Sequence, residues 1–176
     1  DDESTDVRER GRLKYSADSV DFFSDEGDAG ISASNRIRGV VLHEILSRMS
    51  VAGDLEDAAR VSLEAGDVTE QEYISILDLL RQRLASAVER GWFKDDPSGV
   101  MNEVTLIDTD GEMYRPDRVL VSSGKVTVID YKFGQEQPKS HLEQVRDYML
   151  LLQQMGYTTE GHIIYVALQT IHSIPK

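Results

Sequence analysis

Cysteine is absent from the 176 residues of the chain. Its absence excludes disulfide bonds, cysteine-ligated zinc and iron–sulfur clusters. The sequence also has no run of 18 apolar residues and no secretory signal pattern, so we predict neither a membrane span nor secretion. We therefore expect a cytoplasmic location. The phosphate-binding pattern Gly-x-x-x-x-Gly-Lys is missing too, which excludes an ATP site of that kind from this segment.

Basic residues are scarce, with 19 Lys or Arg against 32 Asp or Glu and a net charge of −13. This charge argues against an independent nucleic-acid binder, which would carry a basic surface. Part of the acid is local, because ten acidic residues lie among the first 30. We predict that residues 1–31 form an acidic linker or partly ordered arm of a longer protein. Residues 32–176 are then long enough to form one folded domain.

A predicted hairpin is the feature on which the rest of the interpretation depends. Two β-rich runs, Asp117–Val121 and Lys125–Tyr131, flank a short polar turn. A two-residue or four-residue loop places Asp117 opposite Asp130, whereas a three-residue loop shifts the pairing by one residue. Opposed side chains share a face, and the period of two adds Lys132 to it. Alternatively, the hairpin is exposed and its acids never converge, but apolar residues on both faces favour a covered central strand.

Two adjacent carboxylates repel each other, so either they share a proton or a cation lies between them. A histidine could join them from a helix that we predict from Ser34 or Asn35 to about Met49. His43 lies on this helix four residues after Gly39, hence on the same face. Taken alone, His43 is better explained as a core or surface histidine with one hydrogen bond, and only its combination with the carboxylates favours a site.

Between residues 54 and 91 the pattern predicts a helical insertion. A first helix follows Asp54 and stops at Gly66, and a second opens with a capping box at Thr69–Glu72 and ends at Gly91. We expect the second helix to bury one stripe of side chains. The stripe is Ile74, Leu77, Leu80 or Arg81, Leu84 and Val88. These two helices suggest architecture and no chemistry.

Two further strands and one helix complete the predicted domain. Asn102–Asp108 is predicted as a strand that a turn at Asp110-Gly111 pairs with the run entering Asp117, giving a three-strand meander. Glu103 then lies near the level of Asp117, either in the site or as an exposed strand-end acid. After the hairpin, Ser140–Glu143 resembles a capping box for a helix that runs to Met155.

On that helix Gln144 and Tyr148 are one turn apart, either as site residues or as half-buried helix polars. The apolar run Gly161–Leu168 predicts a buried strand after the helix. The fold class is therefore α/β, with a central mixed sheet built from the meander, a crossover helix and a further strand, flanked by helices.

Two carboxylates and one imidazole are ligands that suit Mg²⁺ or Mn²⁺. Lys132 lies about 7 Å along the strand from Asp130 and could orient a water or stabilise charge on a phosphate. This chemistry favours phosphodiester hydrolysis. No Ser–His–Asp order with an exposed nucleophile turn is visible, so acyl transfer is not indicated.

The wider pattern resembles the PD-(D/E)XK nuclease superfamily, and within it the RecB/AddA-type nuclease domains that follow UvrD-like helicases. The motifs that carry the resemblance are, in chain order, Gly39-x-x-x-His43, Glu103, Arg115-Pro116-Asp117, Asp130-Tyr131-Lys132 and Gln144-x-x-x-Tyr148. They cover about residues 36–168. One departure is Tyr114, where the family often has glycine. The cysteines of AddB-type relatives are missing, which favours the AddA side.

The resemblance implies a restriction-endonuclease-like core and a Mg²⁺- or Mn²⁺-dependent exonuclease that acts in DNA double-strand break repair and recombination. It implies as partners single-stranded or unwound DNA ends, upstream helicase domains of the same polypeptide and an AddB-like subunit. The implied site consists of metal ligands His43, Asp117, Asp130 and the backbone carbonyl of Tyr131, the catalytic residues Asp117, Asp130 and Lys132, and supporting or DNA-contacting residues Glu103, Gln144 and Tyr148.

Two other functions remain open. A catalytically silent module with the same fold could grip a DNA end or act as a scaffold, but it would have no chemical need for the intact Asp117, Asp130 and Lys132. A restriction-type endonuclease acting alone would need its own recognition surface, and the sequence shows no basic stripe or reading helix that qualifies.

Overall fold

The computed structural model describes residues 29–175, with side chains described from residue 38. The predicted acidic arm therefore lies outside the described residues, apart from its last three positions. Those positions belong to helix α1, which runs from Ala29 to Ser47. The prediction that α1 begins at Ser34 or Asn35 is wrong. Serine and asparagine inside a helix cost only about 0.5 kcal/mol relative to alanine, so they do not by themselves force a helix to start.

Three helices form one layer of the fold. A short 3₁₀ turn at Ala52–Asp54 follows α1 and leads into α2, Leu55–Glu64, and then α3, Glu70–Glu89. The segment predicted as a helical insertion thus contains α2 and α3. The capping box that opens α3 is confirmed, because the Glu72 amide donates to Thr69 Oγ1 at 3.2 Å and the Thr69 amide donates to the Glu72 carboxylate at 2.8 Å.

The buried stripe of α3 is only partly as predicted. Its buried residues are Ile76, Leu77, Leu80, Leu84 and Ala87. Ile74 and Val88 are exposed, so their assignment to the core is wrong. Both lie near the ends of α3, whose 20 residues extend beyond the ten-residue α2 that packs against it.

The central sheet has five strands in the order β1-β4-β5-β6-β7. Their bounds are β1 Val100–Asn102, β4 Arg118–Ser122, β5 Lys125–Lys132, β6 Thr158–Tyr165 and β7 Thr170–Ser173. Neighbours are antiparallel except β5 and β6, which are parallel and joined through helix α4, Lys139–Gln154. The predicted mixed α/β fold is confirmed. Strand β7 was not predicted.

The strand predicted over Asn102–Asp108 is split in two. It ends as β1 at Asn102, and Glu103 has a positive φ of 51° while its amide donates to the Asp117 carbonyl at 3.0 Å. The chain then forms a separate two-stranded sheet of β2, Leu106–Ile107, and β3, Met113–Tyr114. The three-strand antiparallel meander is consequently β1-β4-β5, with the small hairpin inserted between β1 and β4.

Helix α4 covers the other face of the sheet. Its predicted capping box at Ser140–Glu143 is wrong, because α4 begins at Lys139 after Pro138 and no side chain caps its amides. Proline removes one amide at this end and holds the chain extended there, which favours a helix start. The predicted end is confirmed, since Met155 caps the helix and Gly156 adopts a φ of 95°.

Two apolar clusters fill the space on the two faces of the sheet. Even-numbered residues of β5 such as Val128 face α4, and odd-numbered residues such as Ile129 face the layer of α1, α2 and α3. Asp130 and Lys132 are even-numbered and therefore lie on the α4 face. In residues 29–175, no helix is both long and apolar enough to cross a membrane.

Close packing of α4 on β6 depends on Gly161. A Cβ at this position would lie 2.7 Å from Val145 Cγ1 and would also overlap the sulfur of Met149. We expect Gly161→Ala to lower the free energy of unfolding by about 1–3 kcal/mol because α4 must move away from the sheet. Urea unfolding measures the effect. Gly53→Ala is the control, since nothing lies within 4 Å of its Cβ position, and equal stability of the two variants would contradict the prediction.

Candidate active site

The register of the β4–β5 hairpin brings two carboxylates together. Ser122 pairs with Lys125 and Arg118 with Ile129, so the ladder extended by one residue places Asp117 opposite Asp130. The loop is the two-residue form, with positive φ at Ser123 and Gly124. Asp117 is held in place because its Oδ2 accepts a hydrogen bond from the Tyr131 amide at 2.8 Å.

His43 reaches this pair from the opposite layer. Helix α1 packs in the cluster of α2 and α3, yet His43 Nε2 lies 2.7 Å from Asp117 Oδ1. The imidazole therefore reaches from this layer to a carboxylate that lies just before β4, at the end of the sheet. Glu103 stands on the other side of the ring, with Oε1 3.9 Å from His43 Nδ1 and a largely solvent-accessible carboxylate. The positive φ of Glu103 places it at this turn, beside His43.

Three carboxylates around one imidazole control its charge. Burial disfavours the imidazolium, but the hydrogen bond and charge of Asp117, with smaller effects from Glu103 and Asp130, raise the pKa of His43 to about 9. In the absence of a metal ion, His43 is thus a cation at neutral pH and neutralises Asp117.

Asp130 and Lys132 form a second ion pair, buried at the core of the site. Lys132 Nζ lies 2.9 Å from Asp130 Oδ2, and both side chains are almost fully buried. Burial and the charge of Asp117 raise the pKa of Asp130 to about 7, although Lys132 opposes the shift. A buried pair of this kind is costly to form and more costly to break on one side only.

A chain of hydrogen bonds through helix α4 holds the ammonium group of Lys132. Lys132 Nζ donates to Gln144 Oε1 at 2.7 Å, and Gln144 Nε2 donates to the Tyr148 hydroxyl at 2.9 Å. That hydroxyl donates to the Arg115 carbonyl, just before Asp117, at 3.4 Å. Gln144 and Tyr148 therefore line the site as buried residues on one face of α4.

One residue near the site escaped the sequence reasoning. His141 is not among the predicted site residues, but it is buried and its Nδ1 lies 3.2 Å from the hydroxyl of Tyr165, the β6 partner of Lys132. Burial and the charge of Lys132 lower the pKa of His141 to about 4. Its position three residues before Gln144 on the same helix was the signal that could have found it.

The donor atoms suit a divalent metal ion, but they are engaged with one another. Across the described residues, no three His, Asp or Glu side chains already surround a common point as a formed metal site does. His43 contacts Asp117, and Asp130 contacts Lys132. Two carboxylates and an imidazole fit Mg²⁺ or Mn²⁺, and a cation there would relieve the repulsion between Asp117 and Asp130. The predicted ligands, His43, Asp117, Asp130 and the Tyr131 carbonyl, all stay predictions.

Comparison with known families agrees with this geometry. Residues 10–175 match the model of the PD-(D/E)XK nuclease superfamily. The chain belongs to this superfamily, which generally comprises nucleases that act on DNA with divalent metals. The RecB/AddA assignment is finer than this match. A search of curated proteins found no match.

The titration of His43 tests the geometry of the site directly. In EDTA, NMR titration should give a pKa of about 9 for His43. In Asp117→Asn that pKa should fall, because burial is then opposed by less negative charge. His141, with a pKa of about 4, is the internal control and should not change. An unchanged His43 in the variant would contradict the observed contact.

The same shift has a consequence for stability. A folded-state pKa raised from 6.5 to about 9 means that His43 stabilises the fold fully below about pH 6.5. The contribution is lost as the pH rises through 9. Between about pH 6.5 and 9, the free energy of unfolding should therefore fall less in His43→Ala than in the wild type.

Proposed function

We propose that the chain is the nuclease domain of a helicase–nuclease of the RecB/AddA type. It hydrolyses phosphodiester bonds of DNA with Mg²⁺ or Mn²⁺, as an exonuclease acting on single-stranded or unwound ends. Its cellular role is DNA double-strand break repair and recombination in the cytoplasm. The observation that supports the reaction best is the convergence of Asp117, Asp130 and Lys132 on one face of the sheet, with His43 reaching across its end.

The roles of the residues follow from their positions. A bound divalent ion would polarise the scissile phosphate and lower the pKa of a water molecule. Asp117 and Asp130 supply carboxylate oxygens for it, and His43 supplies an imidazole nitrogen once it has lost its proton. Lys132 contributes a positive charge that can hold the attacking water or stabilise negative charge developing on the phosphate. Its neighbours Asp130 and Gln144 fix the ammonium group before DNA arrives.

The charge of the chain supports a place beside other domains. With a net charge of −13, the chain would attract the phosphate backbone only weakly by itself. Upstream helicase domains, and an AddB-like subunit, would supply the DNA track and deliver an unwound strand to the site. The motif order from Gly39 to Tyr148 supports the same assignment.

Removal of the charged groups tests the function. We expect Asp117→Asn and Lys132→Met to abolish degradation of linear single-stranded DNA in Mn²⁺, because each removes a group that contacts the ion or the reacting phosphate. Loss should exceed about 100-fold. The assay follows release of labelled nucleotides, and EDTA should abolish the wild-type reaction.

Lys125→Ala is the matched control, because Lys125 lies on the same strand and its ammonium pairs with Glu160 at the surface. It should retain wild-type activity, and circular dichroism should show that all variants are folded. Full cleavage by Lys132→Met would refute the catalytic role. If the wild type bound DNA with Mn²⁺ present but left it intact, the scaffold function would be favoured.

Gln144 should matter through Lys132. We expect Gln144→Leu to lower kcat by about 10–100-fold with little change in KM for DNA, because the ammonium loses the oxygen that positions it. Initial rates measured over a range of DNA concentrations give kcat and KM separately. Gln153→Leu, on the same helix but bonded to Thr159, is the control. A change confined to KM would instead indicate that Gln144 contacts DNA.

A further inference from the structure

A buried guanidinium lies next to the site in sequence but belongs to the opposite face of the sheet. Arg118 has no exposed surface, and all five of its N–H donors are used. Nε donates to Trp92 O at 3.2 Å, Nη1 to Met49 O at 2.6 Å and Asn102 Oδ1 at 3.2 Å, and Nη2 to Ser50 O at 2.7 Å and Trp92 O at 2.9 Å.

The acceptors are not scattered over the fold. Met49 and Ser50 lie in the turn after α1, which ends at Ser47, and Trp92 lies in the turn after α3, which ends at Glu89. Backbone carbonyls in such buried turns need hydrogen-bond donors, and Arg118 supplies them. The ring of Phe93 lies 4.0 Å from the guanidinium carbon and closes the remaining side.

Asp117 and Arg118 are consecutive: Arg118 is the first residue of β4, and Asp117 directly precedes the strand. Asp117 contacts His43, which lies about one turn before the end of α1. Arg118 binds the chain just beyond that end. Two consecutive residues, Asp117 just before β4 and Arg118 at its start, therefore hold the last part of α1 at two points.

This arrangement matters because His43 belongs to α1, which packs with α2 and α3 and not with α4. To meet Asp117, its imidazole must pass the end of the sheet, so a small shift of α1 along the strands would separate the two groups. Asn102 reinforces the second point of attachment, since its Nδ2 donates to Met49 O at 2.8 Å.

We propose that Arg118 is a positioning residue that fixes the end of α1 so that His43 meets Asp117 at the site. Its catalytic consequence rests on the proposed function, whereas the positioning itself does not. Lysine would keep the charge, but a single ammonium with three donors cannot replace a planar fork that serves five bonds. Arg118→Lys should therefore loosen α1 and weaken the contact between His43 and Asp117.

A double-mutant cycle measures that contact without metal or DNA. His43→Ala, Asp117→Asn and the double variant are unfolded in urea with EDTA at about pH 7. In the wild-type background, the effects on the unfolding equilibrium constant should depart from additivity by about threefold or more. In the Arg118→Lys background the departure should fall to within about twofold, even though the protein still unfolds cooperatively.

Arg83→Lys is the matched control, because Arg83 joins α3 to the β6–β7 turn through Gln169. It should leave the coupling between His43 and Asp117 at its wild-type value. If Arg118→Lys does not fold, Asn102→Ala removes part of the same attachment and should reduce the coupling in the same direction. Lower overall stability with undiminished coupling would show that Arg118 only supports the fold and would overturn the proposal.

Because the cycle is measured in EDTA, failure of the nuclease assay refutes the proposed function and leaves this result intact. Conversely, undiminished coupling in an active nuclease refutes only the role of Arg118. The two hypotheses can therefore fail independently.

Discussion

The structure depends on two like charges that the β4–β5 hairpin brings close together. Asp117 and Asp130 meet because the two-residue loop of the β4–β5 hairpin allows no other register. Opposed carboxylates weaken a sheet unless cations compensate them. Each has its own: His43 lies 2.7 Å from Asp117, and Lys132 lies 2.9 Å from Asp130. A divalent ion would replace part of this compensation, which is why the same geometry that costs stability is suited to metal chemistry.

The two cations that compensate Asp117 and Asp130 come from different parts of the fold. Lys132 is on the same strand as Asp130, and α4 covers it with Gln144, so local structure alone fixes this half of the site. His43 comes from the far layer and depends on how α1 sits against the sheet. Arg118 lies at this contact, and its guanidinium donates hydrogen bonds to carbonyls in the turns that follow α1 and α3. Burying a cation between two layers costs free energy. It also fixes how the layers pack, because the planar guanidinium fits only one arrangement of those turns.

Much of the fold and site followed from short-range pattern. The alternating residues of β4 and β5, with an even number of residues in the loop between them, were enough to bring Asp117 towards Asp130. The capping box at Thr69 located the start of α3. What failed depended on tertiary contacts. Ser140 looked like a cap, but Pro138 set the start of α4. The positive φ of Glu103, which splits a predicted strand, follows from its bond to the Asp117 carbonyl. Strand β7 was not predicted; its four residues pair with the edge of β6. The burial of His141 and the partners of Arg118 likewise arise only when distant segments pack.

The central claim is that His43, Asp117 and Asp130 together take a divalent ion in exchange for the proton on His43. Calorimetric titration of Mn²⁺ at about pH 7.5, in buffers that differ in ionisation enthalpy, measures how many protons leave the protein per ion bound. Because the pKa of His43 is raised to about 9 and that of Asp130 to about 7 in the free protein, binding should release at least one proton, mostly from His43, and His43→Ala should release markedly less. Binding with no proton release in the wild type, or no binding at all, would contradict the account.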